Sequence, residues 1–413
     1  MRQSHLFTKA KREAPKDEIS INAKLLIRAG YIHKELAGVY SYLPLGLRSL
    51  NKIMAIIREE MNQLGSQEVL LTTLQDKSTW EPTNQWSDKE VDVWFKTKLK
   101  NDTELGLAVT HEAALTRLLK DFISSYRDLP TSIYQFQTKF RNEIRAKSGI
   151  MRCREFLMKD LYSFSRTEEE HQVFYEQVKQ AYARIFERVG LGASTYLTFA
   201  AGGMFAKFSH EFQTLTAAGE DIIYVDKEKK IAINKEVLTD EGLAELGLTK
   251  AELVEEKSVE VGNIFSLGTR FSVAHDLTYL DDAGQKKPVI MGSYGIGPGR
   301  LLGVIAETLA DNQGLVWPAS VAPFAVHLLL LGKVKVEADQ LYRDLTGQGV
   351  EVLYDDRDLS AGQKLAEADL LGLPIRVVVS DKSLAAGGYE VKGRSEINSR
   401  LLAGPALTDY LHA

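Results

Sequence analysis

The chain has 413 residues, which is too long for one ordinary hydrophobic core and predicts two or three domains. Hydrophobic residues make up 44% and charged residues 26%, proportions typical of a globular protein and not of a disordered or membrane chain. The formal net charge of −5 excludes a globally basic nucleic-acid binder, so any RNA site has to be locally basic.

Cysteine content and the first residues restrict the cellular setting. Cys153 is the single cysteine, which rules out an internal disulfide and a multi-cysteine zinc site. No structural metal is therefore expected. The polar start, MRQSHLFTKAKREAPKDE, lacks the apolar core of a signal peptide, and no stretch approaches the length that crosses a bilayer. We expect a cytoplasmic protein without a membrane anchor.

The first strongly periodic segment predicts a long amphipathic helix. Apolar residues recur at helical spacing from Leu47 to Leu64, with Pro44 ahead of the helix and Gly65 at its end. The next run, 68–74, is predicted as a strand.

Two later runs rich in β-branched and aromatic residues, 131–140 and 152–164, flank a polar, basic stretch. They predict an antiparallel hairpin with a long charged loop. Further along, 289–294 predicts a strand that leads through closely spaced glycines into a helix beginning near Arg300.

The pattern changes after Ala325. The runs AVHLLLL, EVLYD and IRVVVS are strand-like and alternate with amphipathic helical stretches. This alternation predicts a separate α/β domain, with its boundary between Pro318 and Pro323.

The segment 137–160, QTKFRNEIRAKSGIMRCREFLMKD, is the most informative for chemistry. Arg141 and Glu143 are two apart, so on a strand both side chains point to the same face, and Arg152 and Phe156 come from the returning strand. An isolated R-x-E is most often a surface hairpin with ion pairs. Over its whole length, however, the segment resembles motif 2 of bacterial-type prolyl-tRNA synthetases, class II enzymes that activate proline with ATP and load it onto tRNA.

The resemblance implies a role for each of these residues. Arg141 would bind the α-phosphate of ATP and the amino-acid carboxylate, Glu143 would lie near the adenine amino group, Arg152 would reach the γ-phosphate, and Phe156 would stack on adenine. In this reaction the carboxylate of proline attacks the α-phosphorus in line and no covalent enzyme intermediate forms. Planar arginines and Mg²⁺ brought with ATP suit that task.

The glycine-rich segment with Gly295, Gly297 and Gly299 resembles motif 3 of the same family. Alone it is as typical of a plain strand-to-helix turn as of a nucleotide site. The resemblance places Gly297 at the ATP site and Arg300 on the adenine face opposite the motif 2 phenylalanine. Three arginines are thus the expected catalytic residues: Arg141, Arg152 and Arg300.

A proline-binding set is also implied. Thr110 and Glu112 match the family's T-x-E, and a hydroxyl and a carboxylate can accept both N–H donors of a secondary ammonium. Taken alone, T-H-E is also the capped start of a helix. The resemblance adds Arg141, His210 and Ser293 to the proline site, although a lone histidine is more often structural.

The chain departs from the family's pattern at several places, of which two concern the shape of the protein. Phe205 and Ala206 occupy positions where the family usually has a glycine pair, so the shape of the loop 202–209 is left open. Thr72 stands where motif 1 usually ends in proline.

Many bacterial members carry a large editing domain between motifs 2 and 3. Here only the segment 222–258 separates the flanking stretches, and we expect a helix or two in it, too short to enclose a hydrolytic pocket. The predicted domains are a catalytic domain of 1–221 with 259–323, the remnant 222–258, and an anticodon-binding domain of 324–413. No editing in cis is expected.

The C-terminal part resembles the anticodon-binding domain that class IIa synthetases share. It carries ten Lys or Arg against thirteen Asp or Glu, so recognition would depend on stacking and hydrogen bonds more than on bulk attraction. Asp355 and Asp356 belong to the resembling stretch, but they are also compatible with a solvated turn. The expected tRNA contacts are Lys364, Lys392 and Arg394 in this domain and Arg145 at the acceptor stem.

The resemblance implies an α+β class II catalytic domain, with an antiparallel sheet flanked by helices, followed by the α/β anticodon-binding domain. It also implies a homodimer that uses L-proline, ATP and tRNA(Pro). Two alternatives remain: a class IIa synthetase for threonine or histidine, and a non-catalytic paralogue acting as a tRNA-binding or regulatory subunit. The motif 2 and motif 3 arginines disfavour the second alternative, because such paralogues usually lose them.

Overall fold

The computed structural model describes residues 1–144, 146, 148–201 and 208–412. The expected acceptor-stem contact Arg145 lies outside the described residues, as does 202–207 of the proline-pocket loop with Phe205 and Ala206. The chain forms two compact units, one of 1–35, 40–53 and 305–413 and the other of 36–39 and 54–304. The bounds predicted for the domains stay a prediction.

The helices in the described part of the chain are α1 (Ile21–Arg28), α2 (Pro44–Gln63), α3 (Lys77–Trp80), α4 (Glu112–Leu119), α5 (Glu168–Arg188), α6 (Asp240–Leu246), α7 (Arg270–Ala274), α8 (Pro298–Thr308), α9 (Lys335–Gly347), α10 (Ala361–Leu371), α11 (Asp381–Ala385) and α12 (Gly404–His412). The strands there are β1 (Ile32–Leu36), β2 (Val39–Tyr42), β3 (Gln67–Val69), β4 (Leu74–Asp76), β5 (Phe95–Lys98), β6 (Glu104–Leu107), β7 (Thr131–Phe140), β8 (Glu155–Ser165), β9 (Thr195–Ala201), β10 (Phe208–Leu215), β11 (Asp221–Asp226), β12 (Ile231–Asn234), β13 (Val254–Gly268), β14 (Thr278–Leu280), β15 (Lys286–Pro288), β16 (Ile290–Ile296), β17 (Val326–Leu331), β18 (Val352–Asp355), β19 (Ile375–Ser380), β20 (Tyr389–Gly393) and β21 (Arg400–Leu402).

A large sheet organises the unit of 36–39 and 54–304. Its strand order is β10-β9-β12-β11-β13-β16-β8-β7-β3, and its neighbours are antiparallel except for the parallel pairs β9/β12 and β3/β7. Helix α5 packs on one face, where Lys159 of β8 donates to the hydroxyl of Tyr182 at 2.6 Å. The predicted antiparallel sheet with flanking helices is confirmed.

The predicted hairpin is formed by β7 and β8, which pair from Thr131↔Phe164 to Phe140↔Glu155. The predicted glycine-rich turn is also confirmed, since β16 leads directly into α8. The predicted helix over 47–64 corresponds to α2, which begins at Pro44, and Gly65 follows it with a φ of +74°.

The single strand predicted over 68–74 is wrong, because the chain changes sheets there. β3 pairs with β7, whereas β4 pairs with β6 in a separate three-stranded sheet. Side chains end the first ladder: the amide of Leu71 donates to Gln135 Oε1 at 3.0 Å, and its carbonyl accepts from Gln137. The alternation of apolar and polar residues does not reveal that side chains of β7 take the place of backbone hydrogen-bond partners here.

The segment 222–258 is also more than the predicted helix or two. Besides α6 it contains β12, which pairs in parallel with β9 and antiparallel with β11. Its apolar residues form a small cluster of their own, with Ile233, Val237 and Leu243 buried. The segment therefore contributes to the central sheet.

The other unit has a five-stranded sheet in the order β18-β17-β19-β20-β21. β18, β17 and β19 are parallel, as expected for strands joined by the helices α9 and α10, and they confirm the three predicted strands. The antiparallel β20 and β21 were not predicted.

In the described residues, no helix has the length and apolar character that spanning a bilayer requires.

Buried His171 of α5 predicts acid sensitivity. Neither ring nitrogen has a hydrogen-bond partner among the described residues, and burial lowers the pKa of His171 from 6.5 to about 4. The unfolded chain therefore takes up this proton at higher pH than the folded chain, so the contribution to stability is present above pH 6.5 and is lost as the pH falls toward 4.

Between pH 7.5 and pH 5, the free energy of unfolding should fall by about 2 kcal/mol more in wild type than in His171→Met. Denaturant titrations of wild type and variant at the two pH values measure this. An identical pH dependence in both proteins would contradict the assignment.

Candidate active site

A cavity of about 270 Å³ lies beside the β7–β8 hairpin. Along β8, Phe156, Asp160 and Tyr162 alternate with Lys159, which meets α5, so they point to the opposite face of the sheet. The cavity opens on that face. Its lining includes every ATP-site residue expected from the sequence: Arg141, Glu143, Arg152, Phe156, Gly297 and Arg300.

Arg141 follows the end of β7 and its amide donates to the carbonyl of Arg154 at 2.8 Å. The guanidinium carbon lies 5.3 Å from the centroid of the Phe156 ring. Its Nε is buried and has no hydrogen-bond partner in the described part of the chain. Burial, reinforced by nearby Arg300, lowers the pKa of Arg141. A buried guanidinium N–H without an acceptor suits an anionic oxygen of a ligand.

Arg152 is held between two carboxylates at the cavity. It lies 2.8 Å from Glu143 Oε2 and 2.9 Å from Glu220 Oε2. The hydrogen bond that Arg152 donates to Glu143 is the main cause that raises the pKa of Arg152. Glu220 was not expected from the sequence, since it follows β10 and is distant from motif 2 in the chain.

Arg300, the third residue of α8, bridges two parts of the cavity wall. Its Nε donates to the carbonyl of Met151 at 2.9 Å, and its Nη1 donates to the carbonyl of Glu260 at 2.7 Å. Nearby, the amide of Gly295 donates to Asn263 Oδ1 at 3.1 Å. A Cβ at Gly295 would stand 2.9 Å from that oxygen, which explains a glycine at this position.

Three of the expected proline-site residues come together. Thr110 Oγ1 donates to one oxygen of Glu112, and Ser293 Oγ donates to the other at 3.2 Å. Ser293 lies two residues before Gly295, a cavity-lining residue of the same strand, so the two sites are neighbours. The first turn of α4 is capped by His111 without a side-chain hydrogen bond, so Thr110 does not serve as a helix cap.

His210 lies elsewhere. It pairs with Ile264 across β10 and β13, and its Nδ1 is 2.8 Å from the hydroxyl of Tyr175 in α5. Burial, together with Lys179, lowers the pKa of His210 to about 4. The structure thus places His210 on the α5 face and does not bring it together with Thr110, Glu112 and Ser293. Its contacts are those of a structural histidine.

Sequence reasoning missed Asp160 and Tyr162, which lie on the cavity face of β8. The Tyr162 hydroxyl donates to Asp160 Oδ2 at 2.9 Å and accepts from the backbone amide of His111 at 3.2 Å. The sequence could have indicated them, because both residues follow Phe156 at even spacing on one strand and therefore share its face of the sheet.

Two of the expected tRNA contacts have other partners. Lys364 is only 2% exposed, and its ammonium donates to the carbonyls of Leu330 at 2.7 Å and Asp355 at 3.2 Å. The expectation of an RNA contact at Lys364 is corrected, because its charged end is committed inside the fold. Arg394 forms two 2.7 Å bonds with Asp311. Lys392, on β20, is half-buried.

Asp355 and Asp356 do not form a solvated turn. Asp355 is fully buried and accepts from Arg357 at 2.9 and 2.8 Å. Asp356 accepts from the backbone amide of Ser4 at 3.0 Å. These carboxylates fix the end of β18.

The cavity's donors suit a magnesium ion that arrives with a nucleotide. The described residues contain no group of three or more His, Cys, Asp or Glu arranged to hold a metal by itself. Four carboxylates nevertheless line the cavity, and Mg²⁺ is commonly held by one or two carboxylates together with substrate phosphates. They are Glu143, Glu220, Asp221 and Glu260.

Comparison with known proteins gives the class. Residues 95–309 match the family described as the tRNA synthetase class II core domain (G, H, P, S and T), and residues 320–402 match the anticodon binding domain. Fold and cavity together define a class II aminoacyl-tRNA synthetase.

The relatives give the family. A "Proline--tRNA ligase" of Agrobacterium fabrum is 37% identical over 95% of this chain and 96% of the relative, and one of Azorhizobium caulinodans is 38% identical over 98% of both. The chain therefore belongs to the proline--tRNA ligase family. The predicted lack of a large editing insertion is confirmed by these nearly full-length matches.

Solved structures agree in fold. A prolyl-tRNA synthetase of Giardia lamblia in complex with prolyl-adenylate gives a TM-score of 0.77 at 20% identity, covering 95% of this chain and 78% of that one. A prolyl-tRNA synthetase of Cryptosporidium parvum, complexed with halofuginone and AMPPNP, gives 0.78 at 18% identity, covering 95% and 76%.

Proposed function

We propose that this chain activates L-proline with ATP, forming prolyl-adenylate and pyrophosphate, and then transfers the prolyl group to the 3′ end of tRNA(Pro). One observation carries the proposal: the guanidinium N–H of Arg141, buried and without a partner among the described residues, lies in a cavity that neighbours the acceptor set of Thr110, Glu112 and Ser293. An anion-binding group next to an ammonium-binding group fits an amino acid whose carboxylate meets a phosphate.

ATP would enter the cavity with adenine between Phe156 and Arg300, where an aromatic face and a cation both stabilise the ring. Glu143 would accept from the adenine amino group. Arg152 would then exchange a carboxylate partner, Glu143 or Glu220, for the γ-phosphate, which is geometrically simple because its guanidinium is partly exposed. Mg²⁺ would supply positive charge to the phosphates.

Proline would bind with its two N–H donors on Thr110 and Glu112. Arg141 would hold the carboxylate and an α-phosphate oxygen together, so that a carboxylate oxygen forms the bond to the α-phosphorus as the bond to pyrophosphate breaks. Ser293 would keep Glu112 oriented. We do not assign proline contact to His210, because it faces α5.

The second substrate and the assembly follow from the same proposal. The C-terminal unit would bind the anticodon, with Lys392 as a contact, and Arg145 would reach the acceptor stem. Two copies would associate through α2 and β3, because a long helix followed by a strand resembles motif 1, which carries the dimer interface in the family. Leu70, just after β3, is 76% exposed and supports this. We propose that the reaction takes place in the cytoplasm, where ATP and tRNA(Pro) are both present.

Charging of tRNA(Pro) with labelled proline tests the function directly. We expect ATP-dependent formation of prolyl-tRNA, and Arg300→Ala should reduce it strongly. A non-catalytic paralogue would retain tRNA but form no prolyl-tRNA, and that result would overturn the proposal.

Alanine should be mischarged and left uncorrected by this chain. Alanine is smaller than proline, so a pocket cannot exclude it by sterics and discriminates only by about 1–3 kcal/mol per lost methylene-sized contact. Preformed Ala-tRNA(Pro), incubated with the purified enzyme, should hydrolyse no faster than in buffer. Hydrolysis well above the buffer rate would show an editing site that the segment 222–258 does not suggest.

A further inference from the structure

A buried polar network lies behind the pair Thr110 and Glu112. Its centre is Lys139 of β7, which is fully buried. The Lys139 ammonium donates to Asp160 Oδ2 at 2.8 Å and also to the Nδ1 of His111, the residue between Thr110 and Glu112. Neither Lys139 nor His111 is among the described residues that line the ATP cavity.

The partners of His111 fix its tautomer. Its Nε2 is 3.0 Å from the carbonyl oxygen of Thr72, which can only accept, so Nε2 carries the proton. Its Nδ1 faces an ammonium, which can only donate, so Nδ1 is the acceptor. Burial and the charge of Lys139 lower the pKa of His111 to about 4, and the ring is neutral at neutral pH. The imidazole thus has one protonation pattern and one orientation.

Asp160 links the Lys139 ammonium to the backbone of His111 through Tyr162. Its Oδ2 accepts from Lys139, from Gln135 Nε2 at 2.9 Å and from the Tyr162 hydroxyl at 2.9 Å. The same hydroxyl accepts from the His111 amide at 3.2 Å. Ring and backbone of His111 are therefore both tied to the strands β7 and β8.

A second anchor holds the residue before His111. Gln75 Nε2 donates to the Thr110 carbonyl at 3.0 Å, while Gln75 Oε1 accepts from Trp80 Nε1 at 2.9 Å. The segment 110–112 is consequently held at the carbonyl of Thr110 and at His111. Its side chains Thr110 and Glu112 are the ones that would receive the ammonium of proline.

A buried ion pair of this kind is weak evidence for stability, because desolvation of both charges offsets their attraction. What it supplies is a defined geometry. We propose that His111 and Lys139 are positioning residues for proline: by fixing the segment 110–112 they set the spacing of the Thr110 and Glu112 acceptors. This inference rests on the proposed function, and it makes affinity for proline, but not for ATP, depend on residues that touch neither substrate.

Two substitutions of His111 separate its two contacts. His111→Asn keeps an acceptor near the Nδ1 position for Lys139 and removes the contact with Thr72, whereas His111→Gln keeps a donor near the Nε2 position and removes the contact with Lys139. In proline-dependent ATP–pyrophosphate exchange, we expect each variant to raise the KM for proline about tenfold, since small misplacements of binding groups have such effects. The KM for ATP should stay within twofold.

Removing Lys139 needs a partner change, because Lys139→Met alone leaves the Asp160 carboxylate buried without its cation. The double variant Lys139→Met with Asp160→Asn removes both charges. We expect it to fold, as followed by circular dichroism, and to show the same selective increase in the KM for proline.

Lys159→Met is the matched control. Lys159 is also fully buried and lies on β8, but its Nζ contacts the hydroxyl of Tyr182 at 2.6 Å and the Tyr294 carbonyl at 3.1 Å, on the α5 face. It should lower the melting temperature without changing the ratio of the two KM values.

The outcomes are distinguishable. If wild type shows no proline-dependent exchange, the proposed function and this inference both fail. If wild type is active and folded His111→Gln has an unchanged KM for proline, or raises both KM values equally, only the positioning role fails.

Discussion

Replacement of Arg141 by alanine is expected to lower proline-dependent ATP–pyrophosphate exchange about 10³-fold. Arg141 would contact both the carboxylate of proline and the α-phosphate, and loss of one preorganised donor to a developing charge already costs about 10²–10³ in rate. The residue suits this test because its Nε has no partner within the described residues, so the substitution breaks no hydrogen bond of that group. Initial rates at saturating ATP and proline measure the effect.

The control for this experiment is Arg166→Ala. Arg166 lies just after β8 and pairs with Glu170 of α5, outside the cavity lining in the described chain. Exchange should remain within twofold of wild type. If Arg141→Ala retained more than a tenth of the wild-type rate with an unchanged circular dichroism spectrum, Arg141 would not be the phosphate-binding residue.

Glu112→Gln is expected to raise the KM for proline about 10²-fold or more, with a much smaller effect on the KM for ATP. The glutamine keeps an acceptor of the same shape but loses the negative charge that balances the ammonium, and charge-assisted pairs at partly desolvated sites typically contribute about 2–5 kcal/mol. The measurement is exchange over a range of proline concentrations at fixed ATP, and the reverse.

Glu176→Gln is the matched control for this variant. Glu176 pairs with Lys179 on α5 and lies on the opposite side of the sheet. Both of its KM values should equal those of wild type. Equal increases in the two KM values for Glu112→Gln would contradict a specific role in ammonium binding.

Local sequence pattern was sufficient where strand alternation and turn residues acted together. The hairpin β7–β8, the turn from β16 into α8 and the helix after Pro44 were all predicted, because each is specified by periodicity and by residues that favour its ends. The segment 68–74 was not, because the amides of Gln135 and Gln137 replace the ladder from outside the segment.

In the candidate site, too, local pattern predicted some residues correctly and failed where distant elements decide. Arg141, Arg152 and Phe156 come from one hairpin, and the structure brings them together with Arg300. The contact of His210 with α5 and the burial of Lys364 could not be predicted for a physical reason: the facing of a strand residue and the burial of a lysine depend on which element packs against them. For His210 that element is α5, and for Lys364 it is the carbonyl ends of β17 and β18.

The network behind Thr110 and Glu112 was invisible for a related reason. In the sequence, Lys139 is the first of several basic residues between 139 and 154, a local composition that is typical of an exposed RNA-binding surface. In the fold it is buried, and Asp160 from the neighbouring strand supplies its counter-charge. Only pairing of β7 with β8 brings these two residues together.

The most direct test of the central claim is ATP–pyrophosphate exchange by the purified wild-type chain with proline, alanine and threonine offered separately. We predict efficient exchange with proline, weaker exchange with alanine and none above background with threonine. Absence of proline-dependent exchange, or a preference for threonine, would contradict the claim that this site activates proline.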